Sequence, residues 1–285
     1  MRGPAADFSE FRIPEQRCRR MTTAQEPSKD LVHSLHKMAR ILQCFSKHDR
    51  TLTLSAIQAR TGFPKATTHR LLATMREIGF VEQDRDRDRY RLGLRLFELG
   101  SLYLANMDLH REAQGQVERL AKISGETVHL CIFDGLLAVF VDRKEMDTAP
   151  SSLVMTIEGA PVYCTGVGKA ILAFQDEATV ARVIEAGLRP FTENTITDPD
   201  RLRRELAEIR RRGYSVDESE HQRNLRCVAA PIRNASGVVY ASISVSGPAD
   251  RVTPPRVPVL AELVVDAARE ISGRLGWRPT ERAAE

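Results

Sequence analysis

The segment from Leu54 to Glu77 constrains the fold of this chain most strongly, because its pattern predicts two short helices joined by a tight turn. Ser55 carries a side-chain oxygen suited to capping the N-terminus of the first helix. Gly62 follows the last residue of that helix, where glycine tolerates the positive φ of a helix end. Pro64 suits the first position of the second helix. The segment therefore predicts a helix-turn-helix.

The second helix of this pair is predicted to be amphipathic when its residues are placed at 100° steps. Its apolar side is formed by Leu71, Leu72, Met75 and Ile78, with the stem of Thr68 beside them. Its polar side is formed by Lys65, His69, Arg70, Ala73 and Arg76. A helix with a free, basic, hydrogen-bonding side fits the major groove of DNA. An ordinary helical hairpin with a solvated face is the alternative interpretation.

The residues after this helix predict a wing, which is a hairpin of two strands with a charged tip. Gly79-Phe80-Val81 starts an extended run, and Tyr90-Arg91-Leu92 forms another after the charged turn 82–89. Arginines at such a tip can lie along DNA phosphates, which position a protein without reading sequence. The alternating aspartates oppose this role by repelling phosphate.

The distribution of charge agrees with a DNA-binding front half. Residues 1–90 hold 17 Lys and Arg against 11 Asp and Glu, whereas the remainder holds 25 against 27. The length of 285 residues favours two domains. The sequence contains no apolar run of about 18 residues and no secretory signal, so we expect no membrane partner. We expect a cytoplasmic, nucleoid-associated protein.

The cysteines and histidines predict neither a disulfide framework nor a metal site. The five cysteines are widely spaced, odd in number and lack a C-x-x-C pair, which indicates reduced thiols in the cytoplasm. The spacing of Cys164, Cys227, His129 and His221 does not predict zinc binding. No nucleophile motif of the G-x-S-x-G type occurs. We therefore expect no catalytic residue, no metal and no cofactor, and an enzyme is disfavoured.

The hydrophobic pattern divides the chain into four predicted segments. They are a disordered tail (1–30), a DNA-binding domain (31–92), a linker and dimerisation helix (93–108) and a C-terminal domain (109–285). Met21 is an alternative start to Met1. The linker helix has a broad apolar stripe and is predicted to pack across a dimer, the alternative being the core of the second domain. Alternating strands, turns and helices in the C-terminal domain predict an α+β fold around an antiparallel sheet.

Two features of the C-terminal domain predict a small-molecule site. The glycine-rich turn Thr165–Lys169 fails the phosphate-loop pattern, but a turn leading into a helix exposes N–H groups that favour a small anion. Ser244 and Ser246 are two residues apart, so a strand would place both hydroxyls on one face. Buried hydroxyls need a partner, which is either internal or a polar ligand.

Several segments resemble the IclR family of bacterial transcriptional regulators over nearly the whole chain after about residue 30. In the front half they are S-L-H-K-M-A-R-I-L (34–42), T-G-F-P-K-A-T-T-H-R-L-L (61–72), G-F-V (79–81) and Y-R-L-G (90–93). In the back half they are T-G-V-G-K-A (165–170), G-Y-S-V-D (213–217), C-V-A-A-P (227–231) and S-I-S-V-S-G-P (242–248). The resemblance implies a winged helix-turn-helix domain, a linker helix and a GAF/PAS-like effector-binding domain.

On this interpretation the chain is a ligand-responsive regulator, usually a repressor, of a catabolic or small-metabolite pathway. We expect a homodimer or homotetramer on a pseudo-palindromic DNA operator. Thr67, Thr68, His69 and Arg70 are predicted to reach bases, with Lys65 and Arg76 nearer phosphates. Ser55 and Arg87 complete the predicted DNA-binding set.

The resemblance implies an effector that is a small organic acid or related metabolite. The implied contacts are the amides of Gly166 and Val167 together with Asp217, Cys227, Ser244 and Ser246, and an apolar wall containing Met155, with Leu153 and Ile157. An anion beside Asp217 would be unfavourable unless that carboxyl is protonated or accepts a ligand hydrogen bond. Two positions depart from the family pattern, Tyr163 for histidine and Asn224 for glycine. Tyr163 would alter the pocket, whereas asparagine tolerates a left-handed turn.

A second interpretation keeps the GAF/PAS-like domain as a small-molecule-binding protein or enzyme. Its basic N-terminal domain would then mediate protein contacts rather than bind DNA.

Overall fold

The computed structural model describes residues 32–46, 49–84, 88–105, 107–145 and 159–278. The chain forms two compact units, Met1–Leu104 and Ala105–Glu285. The predicted tail and the choice between Met1 and Met21 lie outside the described residues. No helix in the described ranges is long and apolar enough to cross a membrane.

The first unit is a winged helix-turn-helix, as predicted. Its elements are α1 (His33–Leu42), β1 (Leu52–Thr53), α2 (Leu54–Thr61), α3 (Lys65–Glu77), β2 (Val81–Asp84), β3 (Arg89–Leu92) and α4 (Leu94–Ala105). The strands form a small antiparallel sheet in the order β1-β3-β2. The hairpin of β2 and β3 is the predicted wing, and its tip at residues 85–87 lies outside the described ranges.

Local capping explains the α2–α3 turn and corrects one prediction. The cap of α2 is Thr53, whose hydroxyl accepts a hydrogen bond of 3.2 Å from the amide of Ala56. Ser55 instead lies exposed inside the first turn, so the prediction that it caps the helix is wrong. Gly62 ends α2 with a φ of 71°, as predicted. Pro64 occupies the cap position before α3 rather than its first helical position.

The core of the first unit lies between α1, α2, α3 and the small sheet. Its buried side chains are Ile41, Cys44, Phe45, Leu52, Ile57, Leu72, Met75, Val81 and Tyr90. Ile78, which was expected on the apolar side of α3, is instead 47% exposed because it caps the C-terminus of the helix. The helix therefore buries a narrower stripe than the sequence predicted.

The second unit is an α+β domain around an antiparallel sheet, as predicted. Its helices are α5 (Asp108–Ser124), α6 (Gly166–Leu172), α7 (Glu177–Glu185), α8 (Pro199–Arg212) and α9 (Val257–Arg274). Its strands are β4 (Thr127–Phe133), β5 (Leu137–Lys144), β6 (Gly159–Pro161), β7 (Ser215–Glu218), β8 (Leu225–Arg233) and β9 (Val239–Pro248). The described strands pair in the order β6-β5-β4-β9-β8-β7.

Helices cover both faces of this sheet. Helix α6 packs on β7, β8 and β9, while α5 and α9 pack on each other and on the central strands. Because side chains alternate along a strand, Cys227 and Ser246 face α6 whereas Val228 and Val245 lie on the face covered by α9. The site-bearing face is therefore an interior surface, enclosed by helices.

Short acidic side chains stabilise two turns of this unit. Asp134 accepts hydrogen bonds from the amides of Leu136 and Leu137 in the hairpin between β4 and β5. Asp198 caps α8 by accepting from the amide of Arg201 at 2.7 Å. Asp217 lies on the edge strand β7. The predicted apolar wall at 153–157 lies outside the described residues.

Candidate functional site

The exposed side of α3 carries most of the predicted DNA-contacting residues of the first unit. Lys65, His69 and Arg70 are exposed, and Thr67 is half-buried at the same end of the helix. Thr68 is corrected, because its side chain is 0% exposed and its hydroxyl donates to the carbonyl of Pro64 at 3.2 Å. Its position in the core excludes a direct contact with a base in this conformation.

The start of α3 is held in place by the turn that precedes it. Phe63 packs against the core of the first unit. The guanidinium of Arg40 lies 4.7 Å from the centre of the Phe63 ring and donates to the carbonyl of Thr61 at 2.7 Å. This contact fixes the turn against α1, so the exposed residues of α3 are presented from a rigid support.

The far end of α3 contacts the wing. Arg76 donates through Nη1 to Oε1 of Gln83 on β2 at 2.7 Å. Arg87, the predicted phosphate contact at the wing tip, lies outside the described residues.

In the second unit, the predicted effector-binding residues converge on one face of the sheet. Asp217 on β7 is directly opposite Cys227 on β8, and Cys227 is in turn opposite Ser246 on β9. Ser244 lies two residues before Ser246 on the same face and opposite His129 on β4. Four residues from three strands, Asp217, Cys227, Ser244 and Ser246, thus form a continuous patch, while Met155 lies outside the described residues.

The start of α6 packs directly on this patch. A Cβ atom at Gly166 would lie 2.8 Å from the Sγ of Cys227, so only glycine fits there. Thr165 caps the helix by accepting from the amide of Gly168 at 3.1 Å. The hydroxyl of Ser242 donates to the carbonyl of Val167 at 3.0 Å. The backbone of Gly166 and Val167 therefore lies against Cys227, as the predicted site requires.

The two predicted serines have different surroundings. The hydroxyl of Ser246 lies 3.3 Å from Nδ1 of His129, with which it shares a hydrogen bond. The Oγ of Ser244 is fully buried and makes no hydrogen bond of ordinary geometry among the described residues. It interacts with the thiol of Cys227, and this interaction acts to lower the pKa of that thiol, against the effect of burial. A thiol is a weak hydrogen-bonding partner, so Ser244 retains hydrogen-bonding capacity for a ligand.

A buried ion pair lies beneath the patch. Lys169 on α6 is 1% exposed, and its ammonium pairs with the carboxylate of Glu220 and lies 3.9 Å from that of Glu205. Glu220 in turn donates through its backbone amide to Oδ1 of Asp217 at 2.7 Å. Burial raises the pKa of Asp217 to about 7, and the nearby Glu220 charge adds to this, while Lys169 acts in the opposite direction.

The neighbouring titratable groups are held in their neutral forms. Burial raises the pKa of Cys227 to about 12, helped by Asp217, and burial also raises the pKa of Cys164. Burial lowers the pKa of His129 to about 3, and the charge of Arg143 adds to this. The patch therefore offers neutral hydrogen-bonding groups rather than a reactive thiolate.

Metal and disulfide chemistry find no support in the described ranges. These ranges contain no group of three or more His, Cys, Asp or Glu side chains arranged to hold a metal ion. No disulfide joins the cysteines that the structure describes.

The two departures from the family pattern have clear structural roles. Tyr163 is buried, and its hydroxyl donates to the carbonyl of Arg189 at 2.8 Å, so its polar end is used within the protein. Asn224 has a φ of 59°, which confirms that asparagine keeps the left-handed turn there.

Sequence reasoning missed Lys169, Glu220 and the role of His129 in this site. The available signal for Lys169 was a lone charged residue in the apolar run from Val167 to Ala173. A charge in such a run needs a buried partner. Nothing in the local sequence identifies Glu220, 51 residues away, as that partner.

Family models match both units. Residues 34–85 match the IclR helix-turn-helix domain, and residues 101–273 match the model described as bacterial transcriptional regulator IclR C-terminal. The first match contains α2, α3 and the first strand of the wing, β2, and the second contains the whole six-stranded sheet.

Individual relatives and solved structures agree with these matches. The chain is 35% identical over 257 residues to the HTH-type transcriptional repressor AllR of Salmonella typhimurium, covering 90% of this chain and 94% of the relative. It is 33% identical over 264 residues to the transcriptional repressor IclR of Escherichia coli, covering 91% and 96%. An IclR homolog from Microbacterium hydrocarbonoxydans, solved in complex with 4-hydroxybenzoate, superposes with a TM-score of 0.72 at 30% identity, covering 85% of this chain and 98% of that one.

Proposed function

Because this chain belongs to the IclR family of bacterial transcriptional regulators, we propose that it binds a specific DNA operator and that a small organic acid raises or lowers its affinity for that operator. Membership in this family makes the chain a DNA-binding regulator and not an enzyme. The interpretation of the basic domain as a protein-contact module is therefore not retained.

The observation that carries the DNA-binding part is the exposed, basic face of α3. Arg70 and His69 project from this face, with Thr67 at its edge, and they are our candidates for contacts with base edges. Lys65, at the N-terminal end of the same helix, is the candidate phosphate contact. Arg70 can pair with a guanine through two hydrogen bonds, which gives about 1–3 kcal/mol of discrimination against a wrong base.

We propose that α4 joins two copies of the chain. Its exposed apolar side chains are Leu94, Phe97, Leu99, Leu102 and Tyr103. Apolar surface of this extent on one helix marks an interaction site in a water-exposed protein. A dimer with two-fold symmetry would present two copies of α3 to a pseudo-palindromic operator. A dimer of two such dimers would give the tetramer.

We propose that the patch of Asp217, Cys227, Ser244 and Ser246 binds the effector beside the start of α6. The buried hydroxyl of Ser244, whose partner is only a weakly bonding thiol, and the neutral thiol of Cys227 suit the oxygens of a small carboxylic acid. The complex of the Microbacterium relative with 4-hydroxybenzoate supports an organic acid as the ligand class. An effector shifts the DNA-binding equilibrium only by its difference in affinity for the two states of the protein.

Repression is the proposed mode, since the relatives AllR and IclR are named repressors. We place the protein in the cytoplasm at the nucleoid, where a regulator meets its operator.

The DNA-binding part is tested with Arg70→Ala. The operator is first selected from genomic fragments with the wild-type protein, and binding is then measured at several salt concentrations against a random duplex. We expect Arg70→Ala to reduce the preference for the operator by about tenfold or more, as the loss of a base contact requires. Arg204→Ala, which removes an exposed arginine from the second unit, is the matched control. Equal operator preference in wild type and Arg70→Ala would refute the assignment of α3.

The effector part is tested by calorimetric titration with 4-hydroxybenzoate and a panel of other small organic acids. For an acid that binds the wild type, we expect the double variant Ser244→Ala/Ser246→Ala to lose about tenfold or more in affinity, because two hydrogen bonds are removed. Ser236→Ala, in the exposed turn before β9, is the control. Unchanged affinity in the double variant would remove these hydroxyls from the site.

A further inference from the structure

A chain of side-chain hydrogen bonds connects the recognition helix α3 to both strands of the wing. Arg76 donates to Oε1 of Gln83 at 2.7 Å. Gln83 then donates through Nε2 to Oδ1 of Asp88 at 2.8 Å. Gln83 lies on β2, and Asp88 directly precedes β3. The side-chain amide of Gln83 therefore links Arg76 on α3 to both sides of the hairpin.

The backbone around this chain is shaped to bring the three residues together. Asp88 adopts a left-handed conformation with a φ of 47°, which turns its carboxylate back toward β2. Gln83 is directly opposite Tyr90 in the hairpin, and the buried Tyr90 ring lies beneath the chain. Arg76, Gln83, Asp88 and Tyr90 also line one cleft between α3 and the wing, together with His69.

Both charged ends of this chain of hydrogen bonds act on the Tyr90 ring. Burial raises the pKa of Tyr90, the charge of Asp88 raises it further, and the charge of Arg76 lowers it. Arg76 and Asp88 therefore both lie near this ring, which lines the same cleft.

We propose that Arg76 is a positioning residue that holds the wing at a fixed angle to the recognition helix, with Gln83 as its partner. This inference rests on the proposed DNA-binding function of the first unit. It assigns Arg76 a role different from the phosphate contact expected from its charge alone, because its guanidinium is already directed at Gln83 rather than away from the protein.

The hydrogen bonds also fix the direction of a carboxylate that DNA would repel. Asp88 directly precedes β3, and a phosphate beside it would repel its charge. The wing is already attached by the pairing of β3 with β1 and β2 and by the buried side chains of Val81 and Tyr90. The bonds from Arg76 through Gln83 to Asp88 add a link between this sheet and the end of α3, and they hold the Asp88 carboxylate toward the protein.

The test compares Arg76→Ala, Gln83→Ala and the double variant on the selected operator, at several salt concentrations. We expect each single variant to weaken operator binding by a similar factor of about three to ten, and the double variant to be no weaker than either, because both break one connection. The salt dependence should keep the wild-type slope, since no phosphate contact is lost. Lys65→Ala, the candidate phosphate contact, is the comparison that should give a shallower slope.

A different result would overturn the proposal. The salt slope is the change in the logarithm of the DNA-binding constant with the logarithm of the salt concentration. If Arg76→Ala made this slope shallower by about 0.9 for each DNA-bound winged helix-turn-helix unit while Gln83→Ala had no effect, Arg76 would be a phosphate contact. Additive losses in the double variant would also contradict a shared connection.

A second measurement needs no DNA and separates this proposal from the proposed function. Amide hydrogen exchange of the full chain should be faster in β2 and β3 of both single variants, with unchanged exchange in the second unit. Unchanged exchange in the wing would refute the connection even if DNA binds. Failure of the wild type to bind any DNA would instead refute the proposed function, while the exchange result would still decide the role of Arg76.

Discussion

Asp217 is the residue whose surroundings say most about the kind of ligand that the second unit accepts. Its carboxyl is buried beside Glu220, and one lysine, Lys169, is the nearest buried cation. Lys169 faces the carboxyl groups of Asp217, Glu220 and Glu205, and Glu205 is also paired with Arg212. One negative charge is therefore in excess when Asp217 is ionised. With a pKa of about 7, Asp217 is readily protonated near neutral pH, and a protonated carboxyl can donate a hydrogen bond to an anionic ligand.

The raised pKa of Asp217 has a consequence for stability that can be measured. The ordinary aspartate pKa is about 3.9, so between about pH 4 and pH 7 the folded protein keeps a proton that the unfolded chain releases. The contribution of Asp217 to stability is therefore fully present below about pH 4 and is lost as the pH rises from about 4 through 7. The full effect is equivalent to about 4 kcal/mol, as an upper limit.

Asp217→Asn removes this titration, and we expect it to reduce the loss of stability between pH 5 and pH 8. Urea unfolding of wild type and variant at both pH values gives the comparison. Part of the pH dependence should remain, because burial raises the pKa of Glu220 as well. Asp200→Asn, at an exposed position on α8, is the control and should leave the difference unchanged. An equal pH dependence in wild type and Asp217→Asn would show that this carboxyl titrates normally.

At the scale of elements, α4 is a helix whose apolar side chains lack burial within the described chain. Phe97 is 71% exposed, and Leu94 and Tyr103 are each 63% exposed. We therefore expect Phe97→Glu to convert the proposed dimer into a monomer, because a charge at an apolar interface is costly to desolvate. Sedimentation velocity at several protein concentrations measures this change.

The control for this prediction is Glu98→Gln, which changes a charge on the same helix without altering its apolar surface. It should leave the assembly state unchanged, since Glu98 is paired with Arg95 on the exposed surface. Retention of the wild-type assembly by Phe97→Glu would place the interface elsewhere.

Elements were predictable from the sequence where their causes are local. Helix α2 ends at Gly62 because glycine readily adopts the left-handed conformation found there. Helix α8 begins after Asp198 because the aspartate side chain caps its first turn. The cap at Thr53 was missed because two hydroxyl residues, Thr53 and Ser55, lie only two positions apart and either could cap the helix. The stem of Thr68 was placed beside the apolar side of α3, but its hydroxyl was also assigned a base contact; its bond to the Pro64 carbonyl instead satisfies the hydroxyl inside the core.

At the scale of the whole molecule, the candidate effector site depends on an order of strands that no local pattern contains. The last strand, β9, lies between β4 and β8, so it brings Ser244 and Ser246 beside residues that are distant in the chain. The pairing of Lys169 with Glu220 likewise depends on where α6 crosses the sheet. The site residues identified in advance came from the family resemblance, whereas the support beneath them required the structure.

The central position of β9 also affects how such a protein can evolve to bind a different effector. Its backbone is bonded on both sides, to β4 and to β8, so the strand keeps its place whatever small side chains it carries. Residues at 242, 244 and 246 point to one side, and those between them belong to the opposite core. Mutation can therefore change the side chains on the proposed effector-facing side of this strand while the pairing of its backbone stays intact. One fold could in this way give rise to sensors for many metabolites.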